Sequence, residues 1–191
     1  MSDRDFFREV DEAVRQDRYK EVWDKYGVYA LIAAGVIVAA VAGFKAWTFW
    51  QERKAQEAGT EFSQAVTQLD GGEATKARDA LNALAEKGPA GYSVLARFQL
   101  AAAEAQAGNT DKAVADYDAL ATDSGTDNIL KGLATIQAAT LRLDTADYAE
   151  MERRLKGMID EGSPWRYSAR ELLGLSAYRL DKMPDAEKQF S

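Results

Sequence analysis

Cysteine and histidine are both absent from this chain of 191 residues. Without thiols there are no disulfides, thiolate nucleophiles or zinc-thiolate sites, and thiol usage leaves the redox compartment open. Without imidazole, Ser-His and Cys-His catalysis and imidazole metal binding are excluded. Proline occurs only three times, and β-branched runs are confined to one apolar segment, so little interrupts helix and little favours strand. A basic cluster is missing too: the net charge is −7 with the acids spread along the chain, which argues against a nucleic-acid partner. Carboxylate pairs remain conceivable as acid-base groups. They occupy solvated helical positions, so no enzyme activity, catalytic residue, metal or cofactor is expected.

What is abundant is alanine, leucine, glutamate, lysine and glutamine, the composition of an all-α protein. About 140 residues after the first fifty suffice for one domain with a core. From Val28 to Phe44 the chain runs seventeen residues without a charge, and continuing to Trp47 gives about 30 Å of helix, enough to span a bilayer core. Trp23, Tyr26 and Tyr29 flank one end and Trp47, Phe49 and Trp50 the other, where interfacial aromatic belts belong. Lys45 can snorkel outward. A cleaved signal peptide is the other reading, with Ala40-Val41-Ala42 as a small-x-small site. The long, acid-containing region ahead of the run, the length of the run and its closing aromatic belt favour a retained anchor. Arg15, Arg18, Lys20 and Lys25 precede the span closely, against Lys45, Arg53 and Lys54 after it, so the N-terminus is expected inside and the following domain exported.

Gly27, Gly35 and Gly43 recur every eight residues, with Ala39 between the last two, so small residues line one face of the span. That face could seat a partner helix, although Gly and Ala are common in such helices generally. Ahead of the span, Phe6, Phe7, Val10, Ala13 and Val14 recur at helical spacing, followed by Val22, Trp23 and Tyr26. A short amphipathic helix at the inner leaflet or on a partner is one reading of this tail, and a disordered tail the other. The expected layout is a cytoplasmic tail over 1–25, a transmembrane helix over 26–50 and a repeat domain over 51–191.

The repeat is visible at a period of 36 to 37 residues. Turn positions align at Gly72, Gly108, Asp144 and Asp181. Five residues later come Ala77, Ala113, Ala149 and Ala186, and four beyond those Leu81, Tyr117, Arg153 and Phe190. Seven before each turn sit Ala65, Ala101, Gln137 and Gly174. Small residues set against large ones at fixed spacing allow antiparallel helices to interlock and hairpins to stack, which predicts a helical-hairpin solenoid. Pro89, Pro164 and Pro184 fall near expected helix starts, and Gly88, Gly125 and Gly162 near expected ends. Gln137 and Arg153 make the third unit irregular, though Met151, Leu155, Met158 and Ile159 still supply an apolar stripe. The fourth unit stops at Phe190-Ser191, so about four hairpins are expected with the last incomplete and the domain truncated.

These positions resemble the tetratricopeptide repeat (TPR), most closely Leu173-Gly174, Ala186 and Phe190 in the last unit and Ala101, Gly108-Asn109, Ala113 and Tyr117 in the second. With one span entered through RQDRYKEVWDKYG and left through FKAWTFWQERKAQEAGTEF, the arrangement resembles the YfgM-type family of membrane-anchored TPR-like proteins over essentially the whole chain. Mapping the groove-facing positions of the repeat gives Phe62, Val66, Leu95, Phe98, Ala102, Lys131, Leu141, Glu171, Leu175 and Tyr178, of which Phe62, Leu95 and Phe98 suit a core equally well.

The resemblance implies a bacterial inner-membrane protein with its repeat domain in the periplasm. It implies an ancillary Sec translocon subunit that works beside a periplasmic chaperone and receives exported chains. The alternative is a structural accessory subunit that brackets another membrane assembly, such as a respiratory complex or supercomplex. A regulator of envelope growth or division is a weaker alternative. Nothing marks a self-complementary patch, which leaves self-association open.

Overall fold

The computed structural model describes the backbone of residues 3–191 and the side chains of residues 23–191. The expected stripe of Phe6, Phe7, Val10, Ala13, Val14 and Val22 falls outside the described side chains. Among the described residues every regular element is helical: α1 Asp3–Asp70, α2 Ala74–Lys87, α3 Ala90–Gln106, α4 Thr110–Thr122, α5 Asn128–Arg142, α6 Tyr148–Leu155 with a 3-10 turn over Lys156–Met158, α7 Arg166–Arg179 and α8 Met183–Phe190. Two compact units meet in sequence between Arg53 and Lys54.

In the first unit, α1 carries a stretch long and apolar enough to cross a membrane. Its large side chains are exposed: Val36 and Ile37 each keep 63 % of their surface. So much contiguous apolar surface is compatible with a single-pass anchor. At the C-terminal end of the run, the Trp47 and Trp50 rings lie 5.7 Å apart and the Arg53 guanidinium sits 4.9 Å from the Phe49 ring. The expected small-residue face is only partly open. A Cβ at Gly35 or Gly43 would meet nothing, whereas Gly27 lies under the indole of Trp23 one turn earlier, 3.2 Å from where its Cβ would stand. Gly27 therefore serves its own helix, because residues four apart are stacked neighbours.

The second unit is a run of four helical hairpins: α1 from Lys54 with α2, then α3/α4, α5/α6 and α7/α8. Each of the first three second helices is wedged between its own first helix and that of the next hairpin. Leu81 and Leu84 of α2 share a core with Ala58 and Ala65 of α1 and Ala96 of α3. Val114, Tyr117 and Leu120 of α4 join Val94 and Ala101 of α3 to Ala134 and Ala138 of α5. Met151 and Leu155 of α6 join Ala139 of α5 to Ala169, Leu172 and Leu173 of α7. Alanine on the first helices admits the larger residues of the second, which gives the interlock that close packing requires.

Three of the four turns are the same device. The backbone N–H of Gly72 donates to the Leu69 carbonyl and that of Glu73 to Gln68; Gly108 donates to Ala105 and Asn109 to Glu104; Asp181 donates to Tyr178 and Lys182 to Ala177. These paired bonds form a Schellman motif, which places its central residue in the left-handed region. Accordingly φ is +83° at Gly72, +82° at Gly108 and +55° at Asp181.

The third turn corrects the repeat alignment. Asp144 does not have positive φ; α5 runs to Arg142, and α6 starts only at Tyr148, capped by Asp147, whose Oδ1 accepts from Glu150 N–H at 2.7 Å. In the other hairpins the second helix starts two residues after the turn centre, so the equivalent centre here is Ala146 rather than Asp144, and the positions on both helices of this hairpin are counted from two residues later. Ala149 and Arg153 are exposed, and Met151 and Leu155 take their places in the core; on α5, Ala139 replaces Gln137. With that shift the facing pairs are Ala65/Leu81, Ala101/Tyr117, Ala139/Leu155 and Gly174/Phe190. In the last a Cβ at Gly174 would stand 2.5 Å from Cζ of Phe190. The third unit is regular once its turn is counted correctly.

Candidate protein-binding groove

The first helices bring part of the expected set together. Phe62 of α1, Leu95, Phe98 and Ala102 of α3 line one open depression of about 270 Å³ with Gln99 of α3, Tyr117 of α4, and Leu130 and Leu133 of α5. All eight are uncharged. Phe98 and Tyr117 set the floor, their ring centroids 5.8 Å apart. Burial pushes the Tyr117 phenol above its ordinary pKa, so it stays neutral. Phe62 stands 6.1 Å from the Tyr92 ring, whose hydroxyl approaches α1 at Gly59, where a Cβ would be 2.6 Å from it.

Val66 lies one turn beyond Phe62 on α1 and is half-buried. Glu171, Leu175 and Tyr178 of α7 are exposed and do not line this depression. Leu141 packs against the core of α3, α4 and α5. Lys131 lines a different depression, with Ile129, Gly132, Met158, Pro164 and Trp165. Leu133 holds the position in the first depression for which Lys131 was selected, because the third hairpin is centred on Ala146 rather than on Asp144. The Asp147-x-x-Glu150 capping signal was the feature that could have revealed this.

Away from the groove, α2, α3 and α4 enclose a polar cleft around Glu104. Its nearly buried carboxylate accepts from Asn109 at 2.7 Å and Arg78 at 2.9 Å and pairs with Lys112 at 3.3 Å. The Asn109 bond first, then Lys112 and Arg78, hold its pKa below the ordinary range against the opposing effect of burial. Lys112 also pairs with Asp116, and Arg97 with Asp123. Between the second and third hairpins, Arg154 bridges Asp118 at 2.7 Å and Glu150 at 3.1 Å. The cations of this cleft are thus committed to acids within the fold. Among the described residues no three acids converge on a metal position.

Residues 20–191 match the tetratricopeptide repeat-like domain, and the chain belongs to that family. Comparison with curated proteins and with solved structures finds no match. Domains of this class are typically non-catalytic and serve as protein-interaction scaffolds, which agrees with an uncharged groove rather than a reactive site.

Proposed function

We propose that the chain is a single-pass membrane scaffold that holds other proteins on the face formed by its first helices. The observation that carries this reading is a depression to which α1, α3 and α5 all contribute apolar side chains. The anchor reading rests on the exposed apolar run of α1, and the family match begins ahead of that run, at residue 20. In this reading residues 1–25 are a cytoplasmic tail, 26–50 cross the inner membrane and 51–191 stand in the periplasm.

The resemblance to the YfgM-type family supports an ancillary role at the Sec translocon beside a periplasmic chaperone, with exported chains passing over the groove. Val66, Glu171, Leu175 and Tyr178 extend the same face. Gly35, Ala39 and Gly43 give the span a side on which a channel helix could rest closely. The same open side suits a second reading, a bracket on a respiratory or other membrane assembly.

Photoreactive residues at Ala39, at Leu95 and at Ala115 on α4, crosslinked in intact cells, separate the readings. Translocon subunits from Ala39 with varied exported chains from Leu95 support the first; one fixed set of subunits from both supports the bracket. Crosslinks from Ala115 alone refute a groove-side scaffold. Protease outside spheroplasts should digest the chain after Trp50, and full protection would reverse the topology.

A further inference from the structure

We infer that the groove takes one bulky, uncharged side chain of a partner segment whose flanks are basic, a specificity that rests on the scaffold reading above. The groove offers no charge: Phe62, Leu95, Phe98, Ala102, Leu130 and Leu133 are apolar, and Gln99 and Tyr117 are its polar groups. A carboxylate or ammonium seated there would lose water and gain no counter-charge, a strongly unfavourable exchange. An apolar side chain gains by the same burial. The volume of about 270 Å³ lies below the ~300–1,000 Å³ of small-molecule sites, so the space suits one anchor side chain rather than a whole ligand. The Gln99 amide supplies a donor and an acceptor for one peptide group beside that anchor.

Charge decides the flanks. From Lys54 onward the chain has twenty-two acidic and sixteen basic residues, so almost all of the protein's net charge of −7 belongs to the repeat unit. A field of that sign draws in cations and holds off anions on approach. A segment with an aromatic or branched apolar residue between lysines or arginines satisfies both the neutral groove and the net negative charge of the repeat unit. An acidic tail satisfies neither.

The test uses the full chain in a zwitterionic detergent and fluorescence anisotropy of three labelled peptides. These carry a central phenylalanine between paired lysines, the same phenylalanine between paired glutamates, or a central alanine between paired lysines. The lysine-phenylalanine peptide should bind about tenfold or more tighter than the other two, with the advantage over the glutamate peptide shrinking as salt rises from about 0.05 to 0.5 M. Leu95→Arg at the groove should weaken it by about tenfold, whereas Ala115→Arg on α4, which adds the same charge, should bind much more tightly than Leu95→Arg. Equal binding of lysine and glutamate peptides overturns the charge argument; equal loss in both variants overturns the groove as its site. If none of the peptides binds while Leu95 crosslinks proteins in cells, this specificity is wrong and the scaffold stands. If crosslinks come from Ala115 alone, the scaffold reading itself fails.

Discussion

Gly132 gives the sharpest test of how the third and fourth hairpins meet. It lies inside α5, where alanine would ordinarily stabilise a helix by about 1 kcal/mol over glycine. Here the space is taken. A Cβ at Gly132 would overlap Cδ1 and Nε1 of the Trp165 indole, which reaches back from the segment before α7 and donates from Nε1 to the Ile129 carbonyl at 3.1 Å. Gly132→Ala therefore evicts the indole. The lost hydrogen bond costs about 1 kcal/mol, and the disturbed packing about 1–3 kcal/mol, against the helix gain of about 1. The variant should be less stable by about 1–3 kcal/mol. In a Trp165→Ala background the obstruction is gone and only the propensity remains, so the same substitution should stabilise by about 1 kcal/mol. Urea unfolding of the full chain in mild detergent, followed by helical circular dichroism, measures both sides of the cycle. The reversal of sign is the signature. Stabilisation by Gly132→Ala in both backgrounds would mean that the indole does not rest on α5, and the contact that joins these hairpins would have to be withdrawn.

Three further predictions concern the repeat unit. Met151→Ala should cost about 2–3 kcal/mol by opening a cavity in the core, whereas Arg153→Ala should stay within about 0.5 kcal/mol; the opposite order in urea melts would restore the unshifted repeat. Asp181→Gly should raise stability by about 0.5–1 kcal/mol, since glycine adopts its positive φ without the Cβ penalty, and a lower unfolding midpoint would refute that reading of the turn. Glu104→Gln should cost about 1–2 kcal/mol at neutral pH. The folded Glu104 pKa lies below its unfolded value, so its stabilisation is full above the unfolded pKa of about 4.3 and disappears as pH falls through the lower folded value. Unfolding midpoints across that acid range should drop less steeply for the Gln variant, and parallel curves would show that Glu104 is not the linked group.

Much of the fold was legible because it follows from local chemistry. Alanine-rich composition and scarce proline dictate helix, and the apolar run between aromatic belts marks the stretch of α1 suited to a membrane. The glycines at 72 and 108 announce their turns, since a Schellman motif needs a residue at ease with positive φ. Ala65 against Leu81 and Ala101 against Tyr117 follow from counting outward from those turns. Counting failed at the third hairpin, because Asp144 fitted the period while the turn is centred on Ala146, just ahead of Asp147, whose capping oxygen begins the next helix. One slip moved Ala139, Met151 and Leu155 out of the expected core and put Lys131 where Leu133 belongs.

The rest depended on tertiary packing. Which first-helix residues share one depression could not be read from spacing, since Phe62, Leu95, Phe98 and Leu133 come together only when hairpins from distant parts of the chain stack. Gly132 under Trp165 and Arg78 on Glu104 are likewise made by segments 26 or more residues apart, with no trace in either partner's local sequence. Sequence alone determined the helices, most of their ends and the repeating small-against-large interlock, because those depend on residues within one or two turns of each other. The structure alone decided the register of the third hairpin and the membership of the groove, because those depend on how helices separated by whole repeats press together.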